Sequence, residues 1–237
     1  MVLRTLPLLQ EPSHRWNPFH LKTRNDRSST LSTLIGSLLS TAPDLDSLAS
    51  DASFDAFYDE SIRLRSPQHW TPVRVAARAA QLLVQEGATR ILDIGSGVGK
   101  FCIVGALSTA ATFVGVERRH RLVEVARRAA VNHGAERATF VHANMDSLPF
   151  DGFNGIYLYN PFYEQICSLL VPIDSDNDRS PSLYRHYVET TTRKLEKLAP
   201  PVALVTFNGF GGCVPASFTF LGDEPAGIDQ LELWVKR

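Results

Sequence analysis

The fold is decided by residues 90–101, which read Arg90-Ile91-Leu92-Asp93-Ile94-Gly95-Ser96-Gly97-Val98-Gly99-Lys100-Phe101. Apolar, β-prone residues run into a turn with glycine at every second position, and an apolar helical pattern follows. Glycine allows positive φ and lets a ligand approach the backbone without meeting a Cβ. The free N–H groups at the start of the helix face the space above the turn. The stretch therefore predicts a strand, a turn and a helix that together cradle a nucleotide or cofactor.

The spacing of the glycines indicates which cofactor. The dinucleotide fingerprint G-x-G-x-x-G needs glycine or alanine at position 100, where this chain has Lys100. The pattern is instead D-x-G-x-G-x-G, with an acidic residue two positions before the first glycine. It resembles motif I of the class I S-adenosylmethionine (SAM) methyltransferases, in which the turn wraps the methionine part and the ribose. The resemblance implies a cofactor site that includes Asp93, Gly95, Ser96, Gly97 and Gly99.

Bulk properties limit the class of protein. The chain has 237 residues, 44% apolar residues and a formal net charge of −1, so it can bury a core and carries no overall attraction for nucleic acid or anionic membranes. The cysteines 102, 167 and 213 fit neither a disulfide framework nor metal-ligand spacing. Arg4 and Pro7 interrupt the apolar N-terminus, and no run approaches the roughly 20 residues of a membrane span. We expect a cytoplasmic protein with no metal site and no membrane association.

The N-terminal 65 residues are predicted to form an arm and a helical cap. Residues 1–27 show no clear period and fit either a packed arm or a substrate-side flap. Apolar spacing predicts helices at 30–40 and 52–64, the second with one face made by Phe54, Phe57, Tyr58 and Ile62. These helices are too few to be an independent domain. We therefore divide the chain into residues 1–65, the cap, and 66–237, the methyltransferase domain.

Thr71 and Pro72 predict the start of a helix over residues 72–86, with the Thr71 hydroxyl as N-cap and proline at the first position. An aromatic residue before Thr-Pro resembles the N-terminal motif of many amino-group methyltransferases. That resemblance implies that Thr71 lies at the methionine carboxylate of the cofactor. A capped packing helix is the alternative, and the two are compatible.

From Thr89 onward, strands and helices alternate as in a parallel sheet. Strands are predicted at 89–94, 112–116, 138–142, 155–159 and 202–207, with shorter ones near 217–221 and 230–236. Helices are predicted at 99–108, 118–132 and 181–198. Uniformly apolar strands indicate a sheet covered on both faces. The predicted fold is α/β, a doubly wound, mostly parallel sheet of seven strands, with the helix that usually precedes the last two strands shortened or missing.

Two strand ends complete the predicted cofactor site. Glu117 ends the second strand beside the glycine turn, where a carboxylate can accept hydrogen bonds from both ribose hydroxyls. Alternatively, Glu117 is a residue at the start of the next helix, where its charge suits the helix dipole. The third strand ends at a position where the methyltransferase resemblance implies polar and apolar contacts to adenine. The candidates there are Asn144, Met145 and Asp146, with a polar loop as the alternative.

The fourth strand is followed by Asn160-Pro161-Phe162-Tyr163. This loop is similar to the Asn-Pro-Pro-Tyr/Phe signature of methyltransferases that act on amide or exocyclic amino nitrogens. The resemblance implies that Asn160 and the Pro161 carbonyl orient the acceptor and that Phe162 or Tyr163 packs on it. Phe162 stands where the second proline is expected, and a simple turn is the alternative. Phe210, after the fifth strand, is a further candidate for the acceptor pocket.

These motifs together predict a class I SAM-dependent methyltransferase that transfers a methyl group to a nitrogen. The acceptor class stays open between a protein side chain, a nucleobase and a small molecule, and the basic residues 118–121, 127 and 128 fit either a solvated helix face or a nucleic-acid stripe. Two alternatives remain: a SAM-binding regulatory or assembly protein without turnover, and an NAD(P)-dependent oxidoreductase. The sequence gives no oligomeric state.

Overall fold

The computed structural model describes residues 50–167, 179–227 and 229–237. All of these belong to one compact unit, Pro43–Arg237. The predicted helix at 30–40 and most of the predicted cap lie outside the described residues.

The described elements follow the predicted alternation of strands and helices. The helices are α1 (Asp51–Asp55), α2 (Glu60–Arg63), α3 (Ser66–His69), α4 (Val73–Gln85), α5 (Lys100–Ser108), α6 (His120–His133) and α7 (Pro181–Lys197). The strands are β1 (Arg90–Ile94), β2 (Thr112–Glu117), β3 (Ala138–His142), β4 (Gly155–Tyr159), β5 (Val202–Phe207), β6 (Thr219–Ala226) and β7 (Asp229–Lys236).

Within the described residues, the seven strands form a single sheet in the order β3-β2-β1-β4-β5-β7-β6. The first five are parallel, and β7 pairs antiparallel with both β5 and β6. The chain leaves β1 toward β2 and β3 and returns on the other side with β4 and β5. The order therefore reverses between β1 and β4, the point at which doubly wound sheets bind their ligands. The predicted fold class is confirmed.

The sheet is covered on both faces because the buried positions of its central strands are mostly apolar. In β1, Ile91 packs with α4, α5 and α6, whereas Leu92 and Ile94 pack with α7 on the other face. Each such side chain contributes roughly 1.5–3 kcal/mol when it is removed from water. Asp93, in contrast, is a buried carboxyl on the Ile91 face. A polar group at that depth indicates a site.

The predicted helix at 52–64 is wrong in one respect, because the structure divides it into α1 and α2. The reason is tertiary bonding: the Tyr58 hydroxyl donates to the Val98 carbonyl at 3.1 Å, and the Asp55 side chain turns toward α5. Phe54, Tyr58 and Ile62 are buried in the same cluster as α4 and α5, as their shared face predicts. Phe57 is 53% exposed and does not belong to that face.

The predicted N-cap of α4 is also wrong. Pro72 is the N-cap residue and makes no side-chain cap bond. The Thr71 hydroxyl is bonded to the Tyr157 hydroxyl at 2.8 Å instead, and the Val73 N–H donates to an Asp51 carboxylate oxygen at 2.9 Å. A carboxylate from α1 thus stabilises the helix start that we assigned to a local hydroxyl.

The chain between β5 and β6 contains no helix in the described structure, as predicted from its length. β6 is longer than the predicted strand near 217–221 because its pairing with β7 runs from Thr219 to Ala226, with a bulge between Phe220 and Gly222. Among the described helices, none is long and apolar enough to cross a membrane.

Candidate cofactor and acceptor site

The glycine turn between β1 and α5 has the backbone conformation that its sequence predicts. Gly95, Gly97 and Gly99 have φ of 76°, 54° and 82°, all in the region that disfavours side chains. A Cβ on Gly95 would lie 2.9 Å from the Pro161 Cβ, and one on Gly97 would clash with Trp70 Nε1. The turn is therefore held between the loop after β4 on one side and the segment before α4 on the other.

The first of two clefts at this edge of the sheet has a volume of about 470 Å³ and is lined by the ends of β1, β2 and β4 and by the loop after β3. Glu117 lies in it, nearly fully buried. One carboxylate oxygen accepts from the Gly97 N–H at 3.3 Å and the other from the Arg119 N–H at 2.8 Å. Burial raises the pKa of Glu117, and the Arg119 guanidinium opposes that rise. A carboxylate beside a glycine turn suits a pair of sugar hydroxyls.

The loop after β3 contributes two of its three predicted residues to this cleft. Asn144 and Met145 line it, and Asn144 Nδ2 donates to the Tyr187 hydroxyl at 2.8 Å. Asp146 does not line either cleft; its carboxylate pairs with His186 Nε2 at 2.9 Å. The geometry thus favours Asn144 over Asp146 as the polar contact of the first cleft.

The second cleft, about 320 Å³, lies across Gly95 from the first and is lined by residues before α4 and at the ends of β1 and β4. Thr71 and Asp93 line it, as does Ser96, whose buried hydroxyl has no hydrogen-bond partner among the described residues. Burial raises the pKa of Asp93 to about 7; a hydrogen bond from the Cys102 thiol, with Sγ 3.5 Å from the carboxylate, opposes that rise and the charge of Glu117 adds to it. This cleft therefore offers a buried carboxyl to a cationic ligand.

Lys100 ties the N-terminal segment to the cofactor turn. Its side chain is 2% exposed, and its ammonium lies 2.6 Å from Asp51, 2.9 Å from Asp55 and 3.3 Å from Ser66 Oγ. The same nitrogen lies 5.5 Å from the centre of the Phe54 ring. Helices α1 and α3 are thus fixed against the first turn of α5 by one buried cation. Sequence reasoning missed this role, although an isolated lysine inside an apolar helix start is a signal.

The loop after β4 joins the two clefts. Asn160 has φ of 38°, a left-handed conformation that asparagine tolerates better than most residues. The residue before it, Tyr159, lines the second cleft, whereas Pro161 lines the first. Asn160 therefore lies between residues of both clefts, next to the Gly95 contact.

The two aromatic residues of this loop occupy different environments. Phe162 is buried, lines the first cleft and packs against Tyr187, with ring centres 5.2 Å apart. It therefore lies inside the first cleft rather than on an exposed face of the loop. Tyr163 is only partly buried. Phe210, a further predicted pocket residue, is 1% exposed and packs in the core, so it cannot contact an acceptor.

The family comparison agrees with this geometry. Residues 85–172 match the family model described as a methyltransferase domain. The chain carries a class I SAM-dependent methyltransferase domain. The residues present fit SAM: a buried carboxylate beside the glycine turn, a polar and an apolar side chain in the same cleft, and a second cleft with a buried carboxyl. No group of three or more potential metal ligands occurs in the part of the chain that the structure describes.

Known proteins resemble this chain to different extents. A 23S rRNA uracil-C5 methyltransferase of Salmonella typhi is 37% identical over 73 residues, which are 31% of this chain and 17% of that protein. The solved RNA methyltransferase of Salinibacter ruber, in complex with S-adenosyl-L-homocysteine, has 22% identity and a TM-score of 0.50, covering 70% of this chain and 92% of its own. A methyltransferase of Geobacter sulfurreducens has 13% identity and a TM-score of 0.53, covering 89% and 98%. The two structures share the fold, and the curated relative shares about a sixth of its length with this chain.

Proposed function

We propose that this chain is an active enzyme that transfers the methyl group of SAM to a nitrogen of a nucleobase in RNA. The observation that carries the proposal is the contact between Gly95 and Pro161, because it places the Asn160 loop directly against the cofactor turn. Methyl transfer needs the acceptor atom within van der Waals reach of the methyl carbon and aligned with the bond that breaks. A loop that packs on the cofactor turn can provide that alignment.

The residues of the two clefts divide the work of holding SAM. Glu117 would accept the ribose hydroxyls, and Asn144 with Met145 would contact adenine in the first cleft. Thr71, Asp93 and Ser96 line the second cleft, where the Asp93 carboxyl would accept a hydrogen bond from the methionine ammonium. SAM supplies the activated methyl group, so the protein has to bind and orient more than it has to activate.

Asn160 would act on the acceptor. Its side-chain carbonyl oxygen can accept a hydrogen from the acceptor N–H, which fixes the direction of the nitrogen lone pair. With SAM bound, that lone pair would form the new C–N bond as the C–S bond breaks with its electrons on sulfur, and the N–H proton would leave to water. The side chain of Asn160 has no hydrogen-bond partner among the described residues, so it is available for this role.

Two observations support RNA as the acceptor class. The Salmonella typhi relative is an rRNA methyltransferase, although the match covers only 73 residues. In addition, exposed basic side chains follow β2 at the edge of the sheet that carries both clefts, namely Arg118, His120 and Arg121. Lys and Arg side chains near a site contribute to the binding of phosphates.

The experiment uses the purified chain with methyl-tritiated SAM and, in separate reactions, unmodified ribosomal RNA transcripts, transfer RNA transcripts and a protein extract. Calorimetric titration with SAM, S-adenosylhomocysteine and NADH comes first; micromolar affinity, about −8 kcal/mol, is expected for the first two. Mass spectrometry of digested RNA then distinguishes N-methylated from C- or O-methylated nucleosides. Label only in protein would refute the RNA acceptor, and bound SAM without any turnover would favour the regulatory alternative.

A pair of variants separates the acceptor role from cofactor binding. Asn160→Ala should leave SAM affinity within a few fold while it removes turnover. Glu117→Ala, in the first cleft, should weaken SAM binding by at least tenfold, since a hydrogen bond to a charged group is worth about 1.5–3 kcal/mol. If Asn160→Ala also loses SAM binding, Asn160 maintains the loop and does not orient the acceptor.

A further inference from the structure

The loops after β4 and β5 carry a matching pair of asparagines. Asn160 and Asn208 are the two residues other than glycine with positive φ in the described structure, at 38° and 58°. Each directly follows the last residue of its strand, and those last residues, Tyr159 and Phe207, are register partners in the parallel pair β4–β5. The two asparagines therefore stand at equivalent positions on the same edge of the sheet, one strand apart.

The two loops are bonded to each other. The Asn160 N–H donates to the Gly209 carbonyl at 2.9 Å, and the Asn208 N–H donates to the Gln230 carbonyl on β7 at 3.3 Å. Below them, the rings of Tyr159 and Phe207 pack with centres 4.7 Å apart. Both asparagines thus rest on a fixed backbone, and moving one loop requires breaking the bond that joins it to the other.

Neither side-chain amide is used by the protein. Both residues are partly buried, and neither side chain makes a hydrogen bond or another polar contact within the described residues. Left-handed backbone at a residue with a side chain is strained and concentrates at functional sites. Two such residues, adjacent, bonded and with free amides, point to a ligand that both can reach.

We infer that Asn208 is a second acceptor-binding residue, which forms with Asn160 an amide pair that recognises the edge of an amino-substituted nucleobase. An amide offers two N–H donors and one carbonyl acceptor. Such a pair matches a planar edge on which an amino group adjoins a ring nitrogen or a carbonyl. Asn160 fixes the nitrogen to be methylated, and Asn208 binds the neighbouring position, which selects one base over another. This inference rests on the proposed function.

The test measures steady-state kinetics on the ribosomal or transfer RNA transcript that the wild-type enzyme methylates. Asn208→Gly keeps the left-handed backbone and deletes the amide, and Asn208→Asp keeps the shape but removes the N–H donors. Both variants should lower kcat/KM by at least tenfold, with SAM affinity within twofold of wild type and little change in melting temperature. Gln230→Ala is the matched control, because the Gln230 side chain pairs with Asp223 and only its carbonyl binds Asn208; its kinetics should not change.

Wild-type kcat/KM in both Asn208 variants would overturn the inference and leave the proposed function standing. A loss of SAM affinity equal to the loss of kcat/KM would also overturn it, because Asn208 would then support the cofactor turn. If the wild-type enzyme methylates no RNA transcript, the proposed RNA acceptor fails first, and with it the nucleobase edge assigned to the asparagine pair.

Discussion

Replacing Lys100 with methionine tests whether the buried ammonium holds the N-terminal segment on the cofactor turn. The variant keeps the length and the apolar stem of the side chain but leaves two carboxylates without their cation. The two differ in exposure: the Asp51 side chain is 49% exposed and can regain water, whereas the Asp55 side chain is 10% exposed and cannot. Removing one partner of a buried pair costs about 3–5 kcal/mol, and a single stranded carboxylate places this variant near about 3 kcal/mol.

The assay is urea unfolding followed by far-ultraviolet circular dichroism, with a thermal melt as the second measurement. A loss of about 3 kcal/mol corresponds to a fall of roughly 10 °C in Tm for a unit of this size. Asp55→Asn leaves the Lys100–Asp51 pair intact and should cost only about 1 kcal/mol. In the double variant Lys100→Met with Asp55→Leu no carboxylate is stranded, so it should be about 2 kcal/mol more stable than Lys100→Met alone.

Two results would refute this reasoning. A stability loss below about 1 kcal/mol in Lys100→Met would show that Asp55 regains water or a proton at no cost. Strict additivity in the double variant would show that Lys100 and Asp55 do not interact. In Lys100→Met, SAM affinity should also fall by several fold, because Trp70 and Thr71 line the second cleft and follow the segment that Lys100 holds. An unchanged affinity would mean that the Lys100–Asp55 pair serves the fold alone.

Two further predictions follow from the site. Gly97→Ala should lower the free energy of unfolding more than Gly87→Ala, because a Cβ at Gly97 meets the buried Trp70 ring whereas one at Gly87 meets nothing within 4 Å; both pay roughly 1–2 kcal/mol for left-handed backbone, and equal losses in urea titrations would contradict the packing argument. The pKa of Asp93 is raised from 3.8 to about 7, so the folded state binds the proton more tightly, and the contribution of Asp93 to stability is complete below about pH 4 and is lost as pH rises to about 7. Without SAM, Asp93→Asn should remove about 4 kcal/mol from the change in unfolding free energy between pH 4 and pH 7. If the unfolding free energies of wild type and variant fall with the same slope over this range, Asp93 does not carry the raised pKa.

The sheet was predictable because its signal is local. Strands such as 155–159 and 202–207 are continuous apolar runs bounded by glycine, proline or asparagine, and the structure places both at the predicted residues. The glycine turn was equally predictable, since three positive φ values within five residues require glycine. The position of the Glu117 carboxylate beside the glycine turn was predictable from the topology, because the ends of neighbouring parallel strands meet at one edge of the sheet.

The contacts that the sequence did not predict are those whose partners lie far along the chain. Thr71 has every local mark of an N-cap, yet its hydroxyl bonds to Tyr157 because Asp51 already accepts from the helix start. The motif predicts that Phe162 or Tyr163 packs on the acceptor, and the structure adds what it could not predict: Phe162 packs against Tyr187 on α7 in the first cleft. No periodicity connects α7 to the loop after β4, so only the packed structure decides which way that ring turns.

Position 100 shows how one residue can exclude one cofactor and help to build the site for another. In a dinucleotide-binding fold, glycine at this position lets the helix pack closely on the strand. Here the side chain of Lys100 instead leaves the first turn of α5 and binds carboxylates from α1, which fixes the segment that ends at Trp70 and Thr71. Trp70 in turn lies so close to Gly97 that any side chain on Gly97 would clash with the indole. The lysine and the missing side chain at Gly97 therefore depend on each other, since the one holds the segment in place and the other makes room for its indole. Lys100→Gly, a substitution toward the dinucleotide fingerprint, would remove this anchor without turning the glycine turn into a dinucleotide site.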